Sequence, residues 1–261
     1  MKACILTIGN EILKGKTVNT NAAEIGRMLS FSGYDVIRGL VVPDVKEEIG
    51  QAFRSLIVKC DIVVSSGGLG PTFDDITMAS FAEEFNIPMV VNAGIYEVIK
   101  TRTIRRGLEM TKEREKMALV PQGSIIIKNE VGTAPGIEYK IESARIFILP
   151  GVPAEMRSML KSIEDKIKLN DSFYYEDSIV IVGVYEASLA PFITELMKRY
   201  GGRVYIKSHP TIKEGNESSL EVEVSVKSDS IKTSKKLVND VLKEIKNLEL
   251  KIKKRVLTNS S

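Results

Sequence analysis

Three strand-like runs near the start of the chain constrain the fold more than any other feature. They are Ala3–Ile8, Tyr34–Val42 and Asp61–Ser66 (DIVVSS). The continuous apolar run of the first and the buried character of the third are those of strands covered on both faces, as in a parallel sheet flanked by helices. The stretches between them have a different period. Ala22, Ile25, Met28 and Leu29 recur at helical spacing before Gly33 as a stop, and Val45, Ile49, Ala52, Phe53 and Leu56 form a second stripe. Alternating strands and helices imply an α/β domain with a mostly parallel sheet and helices on both faces.

The pattern continues along the chain. Helical spacing returns at about residues 75–85, 95–105 and 111–119. Residues 124–128, 136–141 and 145–149 read as strands, and another helix starts near Pro153. Around residues 169–172 the texture changes, which divides the chain into a first domain at 1–170 and a smaller α+β domain at 171–261. In the second, 173–184 reads as a strand and 186–200 as a helix stopped by Gly201-Gly202. A short strand at 204–208 and a loop at 209–218 follow. Leu220, Val222, Val224 and Val226 then alternate with polar residues, as in a half-buried strand, and 231–248 is helical. The basic end, LKIKKRVL, reads as a solvated tail rather than a site for an acidic partner.

Composition excludes several classes. A net charge of +3 over 261 residues is too mild to argue for nucleic acid. No apolar run approaches the roughly 18 residues of a transmembrane helix, so no membrane partner is expected. The N-terminus, MKACILTIGNEIL, lacks a long apolar region and a small-residue cleavage site, and reads as a first strand. Cys4 and Cys60 occupy strand-like positions and read as buried, reduced thiols of a cytoplasmic protein. With His209 as the single histidine, a zinc site of nitrogen and sulfur ligands is not expected.

Ligands of open α/β sheets bind beyond the carboxyl ends of the strands. Three loops fall there. After the first strand come Gly9, Glu11 and the segment from Thr17 to Asn21; after the second comes Asp44; after the third comes SSGGLGPTFDDIT, Ser65 to Thr77. Each has a bland reading. Asp44 and Glu47 have the spacing of a capping box, and Thr20 or Asn21 could cap a helix. One carboxylate of the Asp74-Asp75 pair is explained by a helix dipole, but two adjacent ones exceed what capping requires. Gly67, Gly68 and Gly70 ahead of Pro71 carry a cost in chain entropy that suits phosphate binding better than a bare turn. The loop is neither a Walker A nor a dinucleotide fingerprint. A divalent cation would reconcile glycines that invite phosphate with aspartates that repel it, because hard cations bind carboxylate and phosphate oxygens alike. That reading points to phosphoryl chemistry on a nucleotide-like substrate. Gly132-Thr133-Ala134-Pro135-Gly136, and Pro150-Gly151-Val152-Pro153 followed by Glu155, are either strand-bounding turns or further walls of the same pocket.

These motifs resemble a known family. GGLGPTFDDIT, IGNEILKGKTVNTNA, KNEVGTAPG and LPGVPAEM are similar, in order and spacing, to the N-terminal part of CinA, the competence/damage-inducible protein family, over about residues 1–160. That region is similar in turn to molybdopterin-binding domains of the MoaB/MogA type, which implies a three-layer αβα fold. The resemblance implies an ADP-ribose pyrophosphatase that needs a divalent metal (Mg, Mn or Co), is stimulated by potassium, and yields AMP and ribose 5-phosphate. It places Asp44 and Asp75 as catalytic residues and Asp74 and Asp75 as metal ligands. Glu11, Asn21, Gly67, Gly68, Gly70, Thr72, Gly132, Thr133, Gly136 and Glu155 would bind substrate. Lys112 and Lys128 are candidates for transition-state charge. The alternative it implies is a molybdopterin-binding protein or adenylyltransferase of molybdenum cofactor assembly. A third reading is a nucleotide-binding module without catalysis, since no residue is an obvious general base. The second domain resembles the small KH-like unit of CinA proteins through its layout, Glu186 and the KSHP stretch at Lys207–Pro210. Gly201-Gly202 is not a GXXG clamp, so RNA binding does not transfer. The nicotinamide-nucleotide amidase domain of many CinA proteins is expected to be absent, and a homodimer is implied.

Overall fold

The computed structural model describes residues 1–212 and 218–258, with side chains described for 1–210 and 219–250. The chain divides into two compact units. One is Met1–Ser30 with Tyr34–Lys168; the other is Phe31–Gly33 with Leu169–Ser261.

The first unit runs β1 (Lys2–Ile8), α1 (Asn10–Leu13), α2 (Thr20–Phe31), β2 (Asp35–Val42), α3 (Lys46–Ile57), β3 (Ile62–Ser66), α4 (Thr77–Glu84), β4 (Met89–Val91), α5 (Ala93–Arg105), α6 (Lys112–Lys116), β5 (Leu119–Pro121), β6 (Ile125–Ile127), β7 (Gly136–Ile141), β8 (Ala144–Leu149) and α7 (Pro153–Ile167). Its sheet has the order β2-β1-β3-β8-β7-β6. The first four strands are parallel, β7 runs antiparallel to β8, and β6 runs antiparallel to β7. The apolar alternation divides cleanly between the faces. Cys4, Leu6, Val63, Ile146 and Ile148 meet Phe53 of α3, Phe81 of α4 and Ile99 of α5 on one side. On the other side Gly26 of α2 lies against Ile5, and Met159 of α7 lies against Gly136 and Leu149. This is the layered α/β architecture expected from the sequence. Within the first core Phe53 and Phe81 pack edge to face at 5.0 Å, the offset geometry aromatic quadrupoles favour.

Two details differ from expectation. Residues 111–119 hold only the short α6, because Leu119 enters a two-stranded antiparallel ribbon of β4 and β5. Three-residue strands are too brief for their period to stand out. The helix expected from Asp75 begins at Thr77, because the Asp75 carboxylate is drawn back to Thr72 instead of capping.

The cysteines are buried as expected, but they are not reduced. Cys4 of β1 and Cys60, just ahead of β3, form a disulfide with Cα atoms 5.9 Å apart. Adjacent parallel strands bring the two together: Asp61 N–H donates to Lys2 O at 2.9 Å, and Cys4 pairs with Val63. A separation of 56 residues hides that neighbourhood from a linear reading.

The second unit contains β9 (Phe173–Val182), α8 (Glu186–Arg199), β10 (Val204–Ile212), β11 (Ser218–Ser228) and α9 (Ile231–Thr258). Its antiparallel sheet has the order β10-β11-β9. Val222, Val224 and Val226 face Val238, Val241 and Ile245 of α9 in a separate core. The expected loop at 209–218 is partly strand: β10 extends through Ile212, and residues 213–217 lie outside the described residues. Pro210 is compatible with this because β10 is an edge strand. Ser208 donates to Glu186 at 2.5 Å, which joins the KSHP stretch to the start of α8. The basic end continues the backbone of α9, and its side chains beyond Leu250 lie outside the described residues.

Candidate functional site

The strand register sets the site. Thr7, Ser66 and Leu149 are level at the carboxyl ends of β1, β3 and β8. The loops that follow them, with the one after β2, surround a cleft of about 730 Å³. Among its lining residues are Glu11, Asn21, Asp44, Gly67, Gly68, Gly70, Thr72, Asp74, Asp75, Gly132, Thr133 and Glu155.

The glycine loop is tight for definite reasons. A Cβ on Gly67, at φ 114°, would lie 2.1 Å from Ile8 O; one on Gly68, at φ 66°, would lie 2.2 Å from Thr77 Oγ1. Side chains rarely adopt that region and have no space here. The buried Thr77 holds the turn: its hydroxyl donates to Gly67 O at 2.9 Å and its N–H to Gly68 O at 3.1 Å. Leu69 is buried in the core beneath and anchors the middle of the loop. Phe73, between Thr72 and Asp74, is exposed.

Thr72 is the focus of the carboxylates. Its Oγ1 lies 2.5 Å from both Asp74 Oδ1 and Asp75 Oδ2, and its N–H donates to Asp75 Oδ2 at 2.9 Å. A hydroxyl has one proton and serves one carboxylate at a time. The Thr72 hydroxyl, then Asp74's own N–H, hold the Asp74 carboxyl below its ordinary range; Lys116 adds to this and slight desolvation opposes it. Two carboxylates gathered on one hydroxyl suit a small hard cation that draws its remaining ligands from phosphate and water. Among the described residues no group of three or more His, Cys, Asp or Glu side chains is arranged to hold an ion. Any metal here would therefore rely on the ligand for part of its coordination.

The other walls correct several single-residue readings. Asp44 makes no capping box: the cap position of α3 is Val45, without a side-chain bond, and Asp44 Oδ2 accepts from Asn10 N–H at 2.8 Å across the cleft floor. Asn21 does not cap α2 either. Asn19 does that, accepting from Ala22 N–H at 3.1 Å, while Asn21 Nδ2 donates to Gly151 O at 2.9 Å. Glu11 folds back over Gly9. Glu155 packs on Gly132, where a Cβ would lie 2.0 Å from its carboxyl carbon. Buried Asn129 organises that corner. It donates to Glu155 Oε2 at 2.5 Å and Ala134 O at 2.8 Å, and accepts from the N–H groups of Gly132 at 2.6 Å and Val131 at 3.1 Å.

Three expected residues lie elsewhere. Gly136 begins β7, where its missing side chain makes room for Met159 and Leu149. Lys112 does not line the cleft. Lys128 lines a neighbouring cavity of about 570 Å³, which shares Arg102 and Thr133 with the cleft. The cations at the cleft are different ones. Arg102, Arg106 and Arg114 line it. Lys116 Nζ donates to Thr72 O at 2.5 Å and Asp75 O at 3.0 Å. The run of basic residues from Arg102 to Lys116 was the sequence signal for them.

Fold and cleft together define an α/β ligand-binding domain with its loops gathered at the carboxyl ends of a parallel sheet. The family model described as a probable molybdopterin binding domain matches residues 4–168. A protein of Caldivirga maquilingensis is 45% identical over 245 residues, 94% of this chain and 95% of the relative. Protein Ta0487 of Thermoplasma acidophilum is 46% identical over 223 residues, 85% of this chain and 86% of the relative. A crystal structure described as the protein CinA with unknown function, from Thermoplasma acidophilum, superposes with a TM-score of 0.61 at 47% identity, covering 64% of this chain and 97% of that one. The chain belongs to the molybdopterin-binding-domain family, among its CinA-like members. Among the described residues no helix is long and apolar enough to cross a membrane.

Proposed function

We propose that the cleft binds a nucleotide through its diphosphate and hydrolyses the anhydride, with ADP-ribose as substrate and AMP and ribose 5-phosphate as products. The observation that carries this reading is the convergence of Asp74 and Asp75 on Thr72 at the end of the glycine loop. A loop built only to turn has no use for a second carboxylate, and one built only for phosphate has no use for either. In this reading the backbone of Gly67, Gly68 and Gly70 lies against the diphosphate. Asp74 and Asp75 would hold a divalent cation such as Mg, Mn or Co, which would neutralise phosphate charge. Lys116 keeps the loop closed through the Thr72 and Asp75 carbonyls. Arg102 and Arg106 face the remaining phosphate charge. Asp44 has one oxygen fixed by Asn10 and a second with which to orient water. The water oxygen bonds to one phosphorus, the bridging P–O bond breaks, the departing phosphate takes up the electron pair, and the protons of the attacking water pass to solvent.

A second reading is supported by the family match: the same loop holds molybdopterin, as a binding protein or an adenylyltransferase. Incubation with ADP-ribose, potassium and a panel of divalent metals separates the two. AMP formation supports hydrolysis. No AMP with any metal, together with tight molybdopterin binding, moves the assignment to the second reading. Binding of either ligand without turnover makes the domain a non-catalytic module.

A further inference from the structure

We infer that the cleft floor carries a second recognition element: Asn21 and Ser66 together read a sugar hydroxyl of the phosphorylated ligand. The inference rests on the proposed nucleotide ligand and adds which group beside the phosphate is recognised. Among the described residues, two buried side-chain polar atoms have no hydrogen-bond partner, Asn21 Oδ1 and Ser66 Oγ. Both residues line the cleft. Asn21 is 8% exposed and Ser66 1%. They are linked through Gly151, whose carbonyl accepts from Asn21 Nδ2 and whose backbone lies on Gly67, the residue after Ser66. Thr7, beside Ser66 in the sheet, already accepts from Asn19 Nδ2 at 3.1 Å. Buried polar atoms are nearly always paired, so two orphans on residues that line one cleft point to ligand atoms.

Their chemistry narrows the ligand group. The bond to Gly151 orients the Asn21 amide, so the atom left over is an acceptor. The Ser66 hydroxyl both donates and accepts. An ionised phosphate oxygen only accepts and is refused by Asn21 Oδ1. A sugar hydroxyl satisfies both, donating to Asn21 and accepting from Ser66. The glycine loop thus takes the phosphate and the floor takes the sugar, which fixes the direction in which the ligand lies. Two sugars offer this chemistry, the nucleoside ribose and the departing ribose phosphate.

Calorimetry with matched probes tests the assignment. The probes are AMP against 2′-deoxy-AMP and 3′-deoxy-AMP, and ribose 5-phosphate against 2-deoxyribose 5-phosphate, with the parent protein and Ser66→Ala. In one set the parent is expected to bind the hydroxylated member about tenfold more tightly. Ser66→Ala is expected to lose that preference while keeping its affinity for the deoxy probe. A preference within the first set puts the nucleoside ribose on the floor; a preference within the second puts the departing sugar there. Equal binding within every set by the parent overturns the inference without touching the proposed function, and needs no variant. A preference that survives Ser66→Ala also overturns it. Failure of every probe to bind overturns the inference, while the proposed function stands or falls on AMP release from ADP-ribose.

Discussion

The Lys116 ammonium lies 2.5 Å from the Thr72 carbonyl oxygen, across 44 residues of sequence. It also reaches the Asp75 carbonyl at 3.0 Å, so one cation closes the loop from Thr72 to Asp75. Lys116→Met keeps the length of the chain and removes the charge. The loop loses two charge-assisted bonds, and ADP-ribose binding is expected to weaken about tenfold. Affinity measured by calorimetry for the parent and variant checks this; equal affinities would show that the loop holds its shape without the lysine.

The Thr72 hydroxyl holds Asp74 ionised to lower pH than a free aspartate. The sign follows from the depressed carboxyl: whatever the ionised Asp74 adds to loop order is present above the unfolded value of about 4 and is lost as pH falls through the lower folded value. Thr72→Val removes the donor and keeps the shape. The Asp74 carboxyl midpoint, followed by carbon NMR, is expected to lie below the ordinary aspartate value in the parent and to rise toward it in the variant. An unchanged midpoint would contradict the assigned cause.

The Cys4–Cys60 bond closes a long stretch of the first core. By chain entropy a loop of that length contributes about 4 kcal/mol, and measured values for disulfides centre on about 2–4 kcal/mol. Cys60→Ser is expected to lower denaturant stability by an amount in that range. Thiol titration of the unreduced, denatured parent should find none; two free thiols would contradict the bond.

The parallel sheet and its helices were legible because a buried strand and an amphipathic helix write different periods. Ile5, Val63 and Val64 lack a polar alternation that Leu220, Val222 and Val224 show against Glu221 and Glu223. The glycine loop was legible for a related reason, since Gly67 and Gly68 occupy conformations other residues avoid. Contacts between distant segments were not. Asp44 bonds to Asn10, Lys116 to Thr72 and Cys4 to Cys60 through space that sequence spacing does not describe. Capping signals misled where a tertiary partner was available: Asp44 and Asp75 both had the spacing or position for a helix end, and both turned to loop groups instead. Gly136 misled in another way. A glycine beside a pocket motif and a glycine that admits Met159 into a core look alike in sequence.

The proposed hydrolysis depends on Asp75. Its carboxylate accepts the Thr72 N–H and shares the Thr72 hydroxyl with Asp74, and Asp75→Asn preserves the size of the group while removing its charge. The most direct measurement is AMP release from ADP-ribose, with saturating divalent metal and potassium, by the parent and by an Asp75→Asn variant whose circular dichroism matches it. AMP is expected from the parent, with a loss of turnover of at least about a hundredfold in the variant, the scale of a lost electrostatic contact to the reacting group. Turnover by the variant at the parent rate would contradict it.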